Sequence, residues 1–65
     1  MLIWINQEPL DISAGATLQD AIELVKIQPP FAAAVNAQFV AKTLYAQTLL
    51  TDEDKIDLIV PITGG

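Results

Sequence analysis

The spacing of hydrophobic and polar residues changes along the chain, and each change marks an element. Leu2 to Ile5 is an unbroken run of strand formers; Pro9 to Ile12 follows it across a polar turn at Asn6-Gln7-Glu8. The two pieces read as a hairpin. Pro9 has no amide hydrogen, which predicts that the second strand is an edge strand or enters the ladder at that residue. Ser13-Ala14-Gly15-Ala16 is a small-residue loop leading to Thr17, a good helix N-cap, and Asp20 stands three positions on, where negative charge suits the first turn. Leu18, Ala21, Ile22 and Val25 then recur at helical spacing, while Gln19, Asp20, Glu23 and Lys26 take the other side. Pro29-Pro30 disfavours helical geometry at Gln28, so the helix is predicted to end by about Ile27.

The second half repeats the strand signal. Phe31 to Val35 is apolar, Asn36-Ala37 supplies a tight turn, and Gln38-Phe39-Val40 is a short return strand. The stretch up to Leu50 reads as irregular, with one helical turn around Tyr45. Thr51-Asp52-Glu53-Asp54 is a polar turn before the clearest strand, Lys55 to Val60, which sets Ile56, Leu58 and Val60 on one face and Asp57 and Ile59 on the other. One helix and a sheet of about four to five strands, with one face to bury, predict a two-layer α+β roll in which the helix covers the sheet.

Length and composition narrow the chemistry more than they shape the fold. A chain of 65 residues makes one domain and one core. It has no cysteine and no histidine, which removes a thiolate metal site, a nucleophilic thiol, the usual general base near neutral pH and the commonest metal ligand. A self-sufficient enzyme is therefore poorly equipped here, and no catalytic residue is assigned. Eight acidic residues against three basic ones give a net charge of -5, the wrong sign for neutralising phosphates, so nucleic acid is not expected as a partner. The apolar start breaks at Asn6 and has no basic leader, so neither a signal segment nor a membrane span is expected, and the cytoplasm is the expected location. The acidic balance either steers the domain toward basic partner surfaces or simply keeps it in solution.

The candidate chemistry lies at the other end. Two glycines close the sequence, Gly64 and Gly65. Two glycines at two chosen positions occur by chance in about one chain in two hundred, given their usual frequency. A carboxylate on residues without side chains can be threaded through a narrow channel into a partner's active site, because glycine reaches backbone angles closed to other residues. Residues 61–65 are thus expected to form a flexible tail whose working group is the Gly65 carboxylate, with Gly64 giving it freedom; the alternative is a merely frayed terminus. A carboxylate must be activated before it can donate an acyl group, and the chain carries no glycine-rich phosphate loop, so the partner would bind the nucleotide. Asp52, Glu53 and Asp54 lack the ligand spacing of a calcium loop and read as a solvated turn; no metal site is assigned. Ser13 has no histidine to activate it. Trp4 lies opposite in parity to Ile3 and Ile5. Either it is exposed, forming an apolar docking patch with Ile59, or it closes the edge of the core.

From end to end the chain resembles the β-grasp, ubiquitin-like sulfur carriers, and among them the ThiS family of thiamine biosynthesis. The resemblance rests on the short first strand ending in Asn6, on Ala14-Gly15-Ala16-Thr17-Leu18, and on Ala34-Val35-Asn36 followed by Phe39-Val40. It continues through Tyr45-Ala46-Gln47-Thr48-Leu49-Leu50 and Asp54-Lys55-Ile56 to the terminal Gly64-Gly65. It implies that the chain is not an enzyme but a carrier, and that an E1-like, ThiF-type adenylyltransferase activates Gly65 using ATP and Mg. A sulfur donor protein would then convert Gly65 to a thiocarboxylate, and a ThiG-type thiazole synthase would accept the sulfur. The carrier itself would bind no cofactor.

At one position the chain departs from the family pattern: Glu53 stands where members often have glycine, and a left-handed backbone there would cost glutamate about 1 kcal/mol. Two other readings compete. A MoaD-like carrier for molybdopterin synthesis shares the fold and the diglycine, and Val60-Pro61-Ile62-Thr63 has some of its character. A β-grasp interaction module would dock through its sheet and make no chemical use of the tail.

Overall fold

The computed structural model describes residues 1–61. Five strands form one mixed sheet: β1 (Leu2–Ile5), β2 (Glu8–Asp11), β3 (Ala32–Val35), β4 (Gln38–Val40) and β5 (Lys55–Ile59), in the order β2-β1-β5-β3-β4. β1 with β2 and β3 with β4 are antiparallel hairpins, and β5 is inserted between them, parallel to β1 and antiparallel to β3. One helix, α1 (Leu18–Val25), supplies the second layer of this β-grasp roll.

Both hairpins close through two-residue turns whose central residues are left-handed, Asn6 and Gln7 at φ 50 and 71, Asn36 and Ala37 at φ 50 and 70. This geometry matches the natural twist of the flanking strands. The first turn is one residue shorter than the sequence suggests, so β2 starts at Glu8, opposite Ile5, and stops at Asp11. Pro9 then faces Trp4 on an edge strand. The Trp4 amide points the other way, to the Asp54 carbonyl at 2.9 Å, so the ladder loses nothing at Pro9.

α1 begins with a reciprocal capping box. The Asp20 amide donates to Thr17 Oγ1 at 3.2 Å, and the Thr17 amide donates to Asp20 Oδ2 at 3.0 Å. The helix ends at Val25, within the expected limit of about Ile27. Lys26 turns left-handed at φ 55 and its amide reaches back to the Ile22 carbonyl, so the stop is a local cap and not the downstream proline pair. Leu18, Ala21 and Ile22 are buried and pack with Ile3, Ile5, Ala33, Ile56 and Leu58 of the sheet.

The helical turn expected around Tyr45 is a 3₁₀ helix, Lys42–Gln47. It buries Tyr45, whose ring stacks on Phe31 with centroids 6.1 Å apart, and the chain after it is stitched to the start of α1 by Leu18 N–H to Thr48 O and Leu50 N–H to Ala16 O. β5 is one residue shorter than expected: Val60 lies beyond it and is 51% exposed, so it does not continue the inward face of Ile56 and Leu58. Among the described residues, no helix is long and apolar enough to cross a membrane.

Candidate functional site

The strand that leads toward the diglycine is the central strand of the sheet. β5 has a partner on each side, and its inward residues Ile56 and Leu58 are 1% and 5% exposed. Each hairpin turn adds a side-chain clip. Asn36 accepts from the Lys55 amide at 3.0 Å, at the start of β5. Asn6 accepts from the Leu58 amide at 2.9 Å and donates to the Leu58 carbonyl at 3.2 Å, near its end. β5 is thus clipped by a side chain near each of its ends. Pro61 is the last described residue; Gly64 and Gly65, the residues expected to carry the chemistry, lie outside the described residues, as do Ile62 and Thr63.

The sheet face away from α1 holds both expected docking residues but does not join them. Trp4 is half-buried and pairs with Lys55; Ile59 is 47% exposed and pairs with Ala32. Lys55 and Ile59 are separated by four steps of β5, about 13 Å, and Asp57 projects between them on the same face. A depression beside Trp4 is lined by Gln7, Lys55 and Asp57. The sequence reading missed Phe39. It is 71% exposed and lies in register with Ala34, which in turn lies in register with Asp57, so Phe39 stands on this same outer face. The signal for it was present, because a two-residue turn at Asn36-Ala37 fixes Phe39 opposite Ala34. What that register does not say is which of the alanines Ala33 and Ala34 faces the helix.

The acidic turn before β5 serves the backbone. Asp52 Oδ1 accepts from the Leu2 amide at 2.8 Å, and the Glu53 amide donates to the Leu2 carbonyl at 2.6 Å. Glu53 sits at φ 68, so the position does use the left-handed geometry that glycine favours, and glutamate occupies it here. Asp54 is 8% exposed and accepts from the Thr51 amide (2.8 Å), the Thr51 hydroxyl (2.9 Å) and the Asn36 side chain (2.9 Å). Burial opposes its charge, but the hydrogen bonds from Thr51 and Asn36 together outweigh burial and hold the carboxyl below its ordinary pKa. Among the described residues no group of three or more Asp, Glu, His or Cys is placed to hold a metal ion.

Comparison with known proteins agrees with this geometry over the full chain. The family model described as the ThiS family matches residues 3–65. The sulfur carrier protein ThiS of Escherichia coli (strain K12) is 35% identical over 66 residues, covering all of both chains. Among solved structures, the crystal structure of the thiamine biosynthesis protein ThiS from Geobacter metallireducens superposes with a TM-score of 0.84 at 14% identity, covering all of both chains. The solution structure of a thiamine biosynthesis protein from the same organism gives 0.80 at 16% identity, covering all of this chain and 88% of that one. At such identities the structural likeness establishes the shared fold.

Proposed function

The chain belongs to the ThiS family, and from that premise we propose that it is a sulfur carrier for thiazole formation in thiamine biosynthesis, its sulfur held as a thiocarboxylate on Gly65. The observation that carries this reading is the reach of the family match, which runs to residue 65 and so takes in both terminal glycines. The chain acts as a co-substrate. A carboxylate oxygen of Gly65 attacks the α-phosphorus of ATP on a ThiF-type partner that holds the nucleotide and its magnesium, and pyrophosphate leaves. A hydrosulfide equivalent from a sulfur donor then displaces AMP, which leaves with the electron pair of the broken acyl–oxygen bond. On a ThiG-type synthase the thiocarboxylate sulfur bonds to the thiazole precursor and the acyl carbon–sulfur bond breaks, an oxygen taking its place at the acyl carbon so that Gly65 is released as a carboxylate. The chain contributes a tail end without side chains, which suits a narrow channel, and a firmly held β5 behind it. The outer sheet face, with Trp4 at one end, Ile59 toward the tail and Phe39 at the side, is the surface on which the adenylating partner seats.

Intact mass spectrometry tests the proposal. The chain is incubated with ATP, magnesium, a ThiF-type enzyme and a sulfide source, alongside a variant lacking Gly65. The mass gain of one oxygen replaced by sulfur, absent from the truncated variant, is the expected result. No gain with a partner shown to be active on another carrier would overturn it and favour an interaction module that makes no chemical use of its tail.

A further inference from the structure

Asn6 does more than turn the first hairpin. Along β5, the carbonyls of Asp54 and Ile56 face β1 and accept from the amides of Trp4 and Asn6, both at 2.9 Å. The next groups on that side are the amide and carbonyl of Leu58, and β1 has no residue left to meet them, because the chain turns away through Asn6 and Gln7. The Asn6 side chain meets both, accepting from the Leu58 amide at 2.9 Å and donating to its carbonyl at 3.2 Å. A carboxamide presents one acceptor and one donor side by side, as a peptide unit does. It thereby prolongs β1 by one pairing step. On the opposite side β3 holds β5 as far as Ile59, opposite Ala32. With Asn6 in place, both flanks of β5 are secured to within one residue of each other.

We infer that Asn6 is a positioning residue for the carrier reaction: its side chain fixes the point at which the chain leaves the sheet, and so the place from which the segment carrying Gly65 starts when the carrier docks on the adenylating partner. This rests on the reading of Gly65 given above. The same side chain also satisfies two backbone groups, and a purely structural role must be told apart from a positioning one. Saturation kinetics can do this. A destabilised carrier lowers the folded fraction, which raises the apparent KM and leaves kcat unchanged. A tail that departs from a wandering point leaves docking intact and lowers kcat, because correct geometry at the reacting atoms is what is lost.

The experiment uses the full chain with Asn6→Gly and Asn6→Asp. Glycine accepts the left-handed backbone at φ 50 without a side chain; aspartate tolerates it and keeps the acceptor for the Leu58 amide while losing the donor. Amide hydrogen exchange at Leu58 and steady-state adenylation by a ThiF-type enzyme are measured on each. In Asn6→Gly, exchange at Leu58 is expected to quicken about tenfold, with kcat falling about tenfold and KM nearly unchanged. Asn6→Asp is expected to recover part of both together. A rise in KM alone, an unchanged kcat, or exchange and kcat that fail to move together would overturn the inference while the wild-type chain is still adenylated. A wild-type chain that is not adenylated would instead overturn the reading of Gly65, and this inference with it.

Discussion

Asn36 donates its side-chain amide to the Asp54 carboxylate at 2.9 Å, which locks the turn of the second hairpin to the turn that launches β5. Thr51 closes the same carboxylate from the other side through its amide and hydroxyl. Three donors converge on one shielded carboxylate at the start of the strand that leads to the tail.

That convergence makes stability depend on acid. The folded chain holds Asp54 below its ordinary pKa, so the carboxylate contributes its full stabilisation above the ordinary range, near about pH 4, and loses it as pH falls through the lower folded value. Urea unfolding between about pH 6 and pH 2.5 should show the wild type losing more stability than Asp54→Asn over that window. Equal slopes would mean that Asp54 titrates alike in the folded and unfolded chain. At neutral pH, Asp54→Ala should cost about 2 kcal/mol, since it leaves charge-assisted bonds unmade.

Ala37 and Glu53 occupy left-handed backbone at φ 70 and 68 without the freedom that glycine would bring. Ala37→Gly and Glu53→Gly should each raise stability by about 0.5 to 1 kcal/mol, the relief of the left-handed strain exceeding the entropy glycine loses on folding. The urea midpoint of each single variant measures this. A lower midpoint would show that the removed side chain was holding the turn.

The sequence made local features readable and left distant ones hidden. Asn36-Ala37 announces a two-residue turn, Thr17 and Asp20 announce a helix start, and the alternation from Lys55 onward announces a strand with one buried face. Each of these signals acts over a few residues. The parallel pairing of Trp4 with Lys55 brings together segments from opposite ends of the chain, and nothing in either segment names the other. Pro29-Pro30 bounded the helix stop but did not locate it, because a left-handed lysine at position 26 leaves no composition signal, unlike glycine. At the candidate site, Ile59 was correctly placed on the outer face. Asp57 between it and Trp4, and Phe39 beside them, came into view only with the strand order.

The capping box offers a test of coupling. Thr17 and Asp20 each accept from the other's amide, so Thr17→Ala and Asp20→Ala should each cost about 1 kcal/mol, and the double variant less than the sum, because either change already breaks the reciprocal arrangement. Strict additivity in thermal or urea unfolding would show two independent hydrogen bonds.

Phe39 and Tyr45 are both large aromatic residues, and they stand at opposite extremes of exposure. Tyr45 is 5% exposed and stacks on Phe31 inside the roll, so Tyr45→Ala should cost about 3 to 4 kcal/mol of stability by leaving a cavity. Phe39 is 71% exposed and fills no cavity, so Phe39→Ala should leave stability within about 0.5 kcal/mol. If the outer face seats the adenylating partner, the same change should weaken association by about 1 to 2 kcal/mol, in the range of a moderate interface anchor. Calorimetric titration of the variant against that partner, beside urea unfolding of the free chain, separates the two roles. A Phe39 variant that binds with undiminished affinity would move the docking surface off this face, whereas one that loses stability instead would show that the ring packs against the sheet.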